Sequence, residues 1–229
     1  MNVSSITMAQ LRDASELGIY SELLREFVSY WNRVFAVAPA EKREGLGILQ
    51  YDSAGVSIYR VRIGNLQKVG FIGTTFSRLI VEHQFKVGIR RLVGSEKMGL
   101  VIYTTPPVTL YGVITSVNRR NGCPSYLLLK EIFPQNAVDL GMMKLGDLVW
   151  RHFRRHERRL HWLADWIIYI SKANTRCLLE HNPDFDPGRV EVCANSIEPR
   201  DVCAVEQVAA LRAKHGTHQG AVVIVLVGT

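Results

Sequence analysis

A parallel α/β sheet flanked by helices is the fold class this sequence predicts, on three observations. Short apolar runs alternate along the chain with segments of helical spacing. One of those runs, Tyr126-Leu127-Leu128-Leu129, is continuous and follows Gly122 and Pro124, which suits a strand buried on both faces of a parallel sheet. That run breaks directly into Lys130-Glu131 and passes through Ile132-Phe133-Pro134 into Gln135-Asn136-Ala137, where a helix can begin. Charged groups just past the carboxyl end of a buried strand lie in the crevice where open α/β sheets bind ligands. The same pair also reads as a surface charge pair closing an ordinary strand.

Residues 2–8 form a weak first strand, because Ser4 and Ser5 interrupt its apolar run. Asp13 and Ser15 are candidate caps before Gly18, and Ile19, Leu23, Leu24, Phe27 and Val28 have helical spacing. Arg33 to Ala38 is a buried strand stopped by Pro39, with a charged loop at Glu41 to Gly45. Strict alternation from Val56 to Arg62 predicts a half-exposed or edge strand. A loop with Gly64, Gly70 and Gly73 leads to a helix over about 75–93, whose Leu79, Ile80, His83, Val87 and Leu92 share a face. Leu100 to Tyr103 is a buried strand ending in Thr104-Thr105-Pro106-Pro107.

After the Tyr126–Leu129 strand, a helix runs through the basic Arg151–Arg159 region, with Val149, Phe153, Leu160 and Leu163 as its inward stripe. Trp166 to Ile170 is a strand, Lys172 to His181 a helix, and Val190 to Val192 a short strand before the loop Asn195 to Pro199. Beyond Pro199 the texture changes. Val205 to His215 is helical and Ala221 to Val227 is an apolar strand, the start of a separate unit. The domains expected are therefore 1–199 and 200–229.

The chain carries 28 Lys and Arg against 21 Asp and Glu, a net +7, which favours an anionic partner. Cys123, Cys177, Cys193 and Cys203 form no CxxC pair and no zinc-ligand spacing, so they read as small buried hydrophobes in a reducing compartment. The amino terminus lacks the basic and apolar regions of a signal peptide. The run Ala221 to Val227 is far shorter than the roughly 20 residues that cross a bilayer. The expectation is a cytoplasmic protein, peripheral at a membrane surface.

The densest charge lies at Arg151, Arg154, Arg155, Arg158 and Arg159. On a basic amphipathic helix these suit an anionic membrane or a phosphate, which guanidinium forks grip in a bidentate manner. A solvated face partly paired to Glu157 is the plainer reading. No nucleic-acid motif or aromatic stacking platform accompanies the charge, so a nucleic-acid partner is not expected. His152 and His156 are four apart but are not HExxH, and no metal site is expected. Gly18, at a helix start, can bring backbone amides close to a phosphate. GxGxxG and GxxxxGK[ST] are both absent, which leaves a dinucleotide fold or a P-loop without support.

Three segments carry a likeness: Thr104 to Thr109, Leu129 to Gly141 (LKEIFPQNAVDLG), and Val190 to Val192 with Asn195 to Pro199. Gly18 to Leu24, Pro39 to Glu44 and Glu82 to Lys86 extend it. The sequence resembles the amino-terminal half of bacterial family 4 glycosyltransferases, retaining GT-B enzymes that build O-antigen, capsule and exopolysaccharide repeats. The resemblance implies a Rossmann-like acceptor domain facing a second, donor-binding domain, with no metal or other cofactor and a nucleotide sugar as substrate. It places Glu131 at the catalytic position beside the transferred sugar, and Lys130, Thr104, Thr105 and Thr109 toward the acceptor. Gly18 falls near the donor phosphates, and the basic helices against the anionic membrane or a polyprenyl diphosphate-linked acceptor. Ser4-Ser5, Tyr30-Trp31-Asn32 and Thr74-Thr75 depart from the family pattern. The resemblance implies sugar transfer to a lipid-linked glycan, inactive in this chain alone because the donor domain is missing, with a separate donor-domain chain as a partner. The alternative is a non-catalytic membrane- or partner-binding module. The terminal apolar strand implies self-association.

Overall fold

A computed structural model describes residues 1–41, 49–63, 82–90, 96–105, 108–196, 205–218 and 221. Two compact units divide the chain, Met1–Ser196 and Ile197–Thr229. The first is built on an eight-stranded sheet. Its strands are β1 (Asn2–Ile6), β2 (Arg33–Glu41), β3 (Leu49–Ser53), β4 (Val56–Ile63), β5 (Leu100–Thr105), β6 (Ser125–Leu129), β7 (Trp166–Tyr169) and β8 (Val190–Val192). They lie in the order β3-β4-β2-β1-β5-β6-β7-β8, and every pairing is parallel except β3 with β4. The helices are α1 (Ile19–Ser29), α2 (82–90), α3 (Tyr111–Asn121), α4 (Gln135–Asp139), α5 (Leu148–Leu163) and α6 (Lys172–His181). A parallel α/β sheet is therefore what the chain forms. In the second unit, α7 (Val205–Lys214) is followed by a turn in which Arg212 donates to the carbonyls of His218 and Ala221 at 2.9 and 3.0 Å.

Two cores form on opposite faces of the sheet, as the two-residue period of strands requires. Ile6, Val37, Val61, Val101, Tyr103, Leu127, Leu129 and Ile167 belong to one, together with Phe85, Val113, Ile114 and Leu160 from helices α2, α3 and α5. Leu24 of α1 packs on Val34, Ala36, Ala38, Val56 and Ile58 in the other.

Several elements differ from the sequence expectation. Strand β1 is central rather than weak, lying between β2 and β5 with Ser4 and Ser5 buried. Strand β2 runs through Pro39, which lies beyond Val37, the last residue paired to β1; a strand bordered on one side tolerates proline there. Strand β4 is largely buried and is not an edge, because the unanticipated β3 folds back on it through Ala54-Gly55, whose positive φ values of 47° and 79° make a tight hairpin turn.

Helix α3 was also not anticipated. Within α2 the buried face is Phe85, Gly88 and Ile89, while His83 is exposed; Leu79, Ile80 and Leu92 lie outside the described residues. Gly88 allows the helix to sit on β4, where a Cβ would come within 2.6 Å of Val61 Cγ1. Strand β6 buries Ser125, Leu127 and Leu129 on one face only; Tyr126 and Leu128 are half-buried, and Tyr126 stacks on Trp166 at 5.2 Å. Cys123 and Cys177 are half-buried, Cys123 against the core, and Cys193 is exposed, so none of these three is fully buried. Cys203, Thr74-Thr75, the loops at 42–48 and 64–73, and the strand expected at 221–227 fall wholly or almost wholly outside the described residues.

Trp31 marks a local strain. It closes the α1–β2 turn at φ 60° with its side chain 95% exposed. A left-handed conformation costs an L-residue about 1–2 kcal/mol, and no burial offsets it here. Trp31→Gly should raise stability by about 1 kcal/mol, read as a higher urea midpoint; an unchanged or lower midpoint contradicts this.

Candidate functional site at the carboxyl edge of the sheet

The strand order reverses between β1 and β5, since β2 and β4 lie on one side of β1 and β5 to β8 on the other. Chain leaving the carboxyl ends of β1 and β5 departs to opposite sides, opening the crevice where open α/β sheets take ligands. Thr7, one residue past β1, and Thr104, near the end of β5, meet there with their hydroxyls 3.0 Å apart. Both are buried, and Thr7 Oγ1 also accepts from the Ala9 amide at 3.0 Å, turning the chain into the loop before α1.

That loop is pinned rather than loose. Ser53 Oγ donates to Asp13 Oδ1, and the Ser15 amide donates to the same oxygen at 2.8 Å. The bonds from Ser53 and Ser15 hold the Asp13 carboxyl below its ordinary value. Arg25 of α1 donates to the carbonyls of Ala14 and Glu16, and Tyr51 Oη to that of Arg12 at 2.6 Å. Asp13 thus organises the loop and does not cap the helix. Gly18 stands at the N-cap of α1 with no side-chain cap, its backbone extended at φ 169°. The first-turn amides of α1 consequently point at the crevice edge without a capping side chain.

Lys130, just past β6, brings its Nζ to 3.9 Å from the ring centre of Tyr20 in the first turn of α1. A cation on an aromatic face is held in place while keeping N–H donors for a ligand. Thr7 thus pairs with Thr104, and Lys130 with Tyr20 two residues after Gly18, all in segments at the carboxyl edge of the sheet; Thr7 and Tyr20 are the two that sequence reasoning missed. Their signal was positional only: the first residue after a central strand and the second residue of the following helix.

Thr105, Thr109 and Glu131 are placed otherwise. Thr105 is on the opposite face of β5 from Thr104, 3% exposed, with a buried Oγ1 that has no hydrogen-bond partner among the described residues. Thr109 lies in the 3-10 turn Val108–Leu110, and its side chain is outside the described residues. Glu131 is exposed beyond Lys130. Glu82 of α2 is a further carboxylate at this edge: it accepts from the Gly112 amide in the first turn of α3, and burial raises its pKa despite that bond and Lys86.

The basic helix α5 makes a separate surface. Asp147 caps it, accepting from the Trp150 amide at 2.6 Å. Phe153, Glu157, Leu160 and His161 face inward, Val149 is 40% exposed rather than inward, and Leu163 is half-buried against the core. Arg151, Arg155, Arg158 and Arg159 are exposed. They border an open groove of about 890 Å3 that also contains Tyr111, Trp150 and Trp162, so aromatic side chains do accompany the charge.

Arg154 differs from the other four, pairing with the buried Glu157 and donating to the His181 carbonyl and Asn182 Oδ1 at 2.6 and 2.9 Å. Among the described residues Arg158 makes only a solvent-exposed pair, with Asp184 at 3.8 Å. His152 and His156 have ring centres 4.6 Å apart, and burial first, then His152 and the neighbouring arginines, lower the pKa of His156. Just before this helix Leu140, Met142 and Leu145 are 74%, 60% and 66% exposed, and its first residue, Leu148, is 83% exposed. No described helix is long and apolar enough to cross a membrane.

No protein-family model and no curated protein matches this sequence. Solved structures do match. An E. coli structure described as trehalose-6-phosphate bound with UDP-2-fluoro glucose superposes with a TM-score of 0.65 at 10% identity, over 93% of this chain and 54% of its own. The OtsA apo structure gives 0.64 at 10% identity over 93% and 55%. Sucrose-phosphate synthase from Thermosynechococcus elongatus gives 0.58 at 10% identity over 95% and 53%. The fold is that of about half of a GT-B glycosyltransferase. At these identities the likeness concerns the fold, and the chain spans about half the length of the structures it matches.

Proposed function

We propose that this chain is the acceptor-binding half of a retaining family 4 glycosyltransferase of surface polysaccharide synthesis. The observation that carries this reading is the carboxyl edge of the sheet, where Thr7 pairs with Thr104 at the ends of β1 and β5 and Lys130 rests on Tyr20 at the uncapped start of α1, in a fold like half of a GT-B enzyme. Lys130 holds an anionic acceptor, and Thr104, Thr105 and Thr109 belong to the acceptor side by the resemblance alone. Glu131, exposed beyond Lys130, orients the acceptor hydroxyl. The α1 amides at Gly18 approach the donor phosphates. The nucleotide sugar is a substrate, no resident metal takes part, and the remaining half of the cleft comes from a donor-binding domain. The acceptor is lipid-linked, so the protein works at the cytoplasmic face of the inner membrane.

Arg151, Arg155, Arg158 and Arg159 contact that anionic surface, each adding about 1 kcal/mol near it. Calorimetry with a short prenyl diphosphate-linked sugar tests the crevice. Lys130→Ala should weaken binding about tenfold, the size of one charge-assisted contact, while Arg155→Ala/Arg158→Ala should instead weaken association with anionic vesicles. Equal binding by the Lys130 variant contradicts the assignment.

A second reading, a membrane-binding module without chemistry, is favoured by the exposed Leu140, Met142, Leu145 and Leu148 beside the arginines, an arrangement suited to lipid insertion. It predicts vesicle binding that Leu145→Ser/Leu148→Ser abolishes, with no binding of the prenyl diphosphate sugar in the crevice.

A further inference from the structure

A second cavity lies toward the amino edge of the sheet, away from the β1–β5 crevice. It holds about 580 Å3 and opens between α2, the carboxyl end of α3 and the stretch leading into β5. Its floor is apolar, because Ile89, Met98, Val113 and Val117 all line it and none is more than 9% exposed. Its rim is cationic: Lys86 and Arg90 come from α2, Arg119 and Arg120 from the last turn of α3.

None of these four cations forms an ion pair among the described residues. Glu82, one turn before Lys86, gives its carboxylate to the Gly112 amide. Among the described residues the one lining carboxylate is Glu96, engaged by Arg33 at 3.4 Å and by the side-chain NH2 of Asn2 at 3.4 Å. Asn121 is occupied too, accepting from the Met98 amide at 2.9 Å and donating to the Val117 carbonyl at 2.8 Å. Arg119 and Arg120 complement the negative end of the α3 dipole, which accounts for their positions but not for the two cations on the α2 wall.

Four cations with Glu96 as the described lining carboxylate, itself shared with Arg33, leave an excess of positive charge that repels, and an apolar floor open to water is a second unfavourable feature. One ligand chemistry relieves both. We propose that this cavity binds an amphipathic phosphate monoester, its phosphate held by Lys86, Arg90, Arg119 and Arg120 and its apolar body laid on Ile89, Met98 and Val117. The volume lies within the roughly 300–1,000 Å3 typical of small-molecule sites. An inorganic ion leaves the floor wet, and a neutral lipid leaves the cations without a partner. The site does not depend on the glycosyltransferase reading.

The test is calorimetry of the full chain with octyl phosphate, below its micelle concentration, beside inorganic phosphate and octanol. Octyl phosphate should bind one to one, at least about tenfold more tightly than either half alone, because both halves are engaged only together. Arg119→Ala/Arg120→Ala should weaken it about tenfold or more. Ser116→Trp, placed on a half-buried lining residue, should block it while circular dichroism stays native.

If the arginine variant fails to fold, Lys86→Ala/Arg90→Ala carries the same expectation from the other wall. Arg155→Ala/Arg158→Ala, on the α5 surface, should leave binding unchanged. Absence of octyl phosphate binding, inorganic phosphate binding equally well, or binding moved only by the α5 variant each overturns the proposal.

Discussion

Arg154→Ala lowers the stability of the fold by about 3–5 kcal/mol, the largest single-residue loss expected in this chain. The Glu157 side chain is 8% exposed and the Arg154 guanidinium bonds to it directly. Burial raises the Glu157 pKa, and Arg154 opposes that rise without cancelling it. With the guanidinium gone, the carboxylate either stays charged without a partner in a dry site or takes up a proton, and both cost stability. The same substitution removes the donors to His181 O and Asn182 Oδ1, the polar tie between α5 and α6.

Urea unfolding near neutral pH measures the effect. Glu157→Gln in the Arg154→Ala background should recover part of the loss, because it removes the stranded charge. A loss below about 1 kcal/mol for Arg154→Ala would place this pair among solvent-screened surface ion pairs and contradict the assignment.

The second large effect is acid sensitivity carried by His161. This imidazole is 2% exposed on the inward face of α5, and burial, reinforced by Arg154, lowers its pKa to about 3. In the unfolded chain a histidine protonates near its ordinary value of 6.5. Between those two values the unfolded state binds more protons than the folded one, so stability falls as pH drops from about 6.5 toward 3. The full span is on the order of 4–5 kcal/mol as an upper size.

Glu157, whose folded pKa is raised, works the other way and offsets part of the fall just above the ordinary carboxylate range. His161→Leu keeps an apolar body of similar size and removes the titration. Its unfolding free energy should therefore decline less steeply than the parent's between pH 6.5 and 4.5. Parallel slopes for the two proteins would contradict a neutral buried His161.

Sequence periodicity located α1, α5, α6, β5, β6, β7 and β8 because each carries a local signature. Lys172–His181 was found to the residue, since Ser171 caps it and accepts from Asn174 at 3.2 Å. The signal failed where a neighbour decides the outcome. Strand β4 alternates like an edge strand, and only the β3 hairpin buries it. Helix α3 has a polar sequence held by Val113, Ile114 and Val117, too narrow a stripe to stand out beside the Thr104–Thr109 segment.

Ser4 and Ser5 argued against a central β1, and the sheet buries them nonetheless. Of the candidate site, Lys130 was legible because charge directly after an apolar run is a local pattern. Its anchorage on Tyr20 was not, because residues so far apart in sequence meet only through the sheet order. The difference between Arg154 and the other four arginines was equally hidden. All five sit in one basic run, and only the arrival of α6 turns one of them into a buried partner.

The most direct test of the acceptor-side assignment is calorimetric titration of UDP- and GDP-linked sugars into the purified chain, with and without anionic vesicles. No saturable donor binding is expected in either condition, together with vesicle association that weakens as salt rises. Clear binding of a nucleotide sugar would show that this half recognises the donor by itself and contradict the assignment.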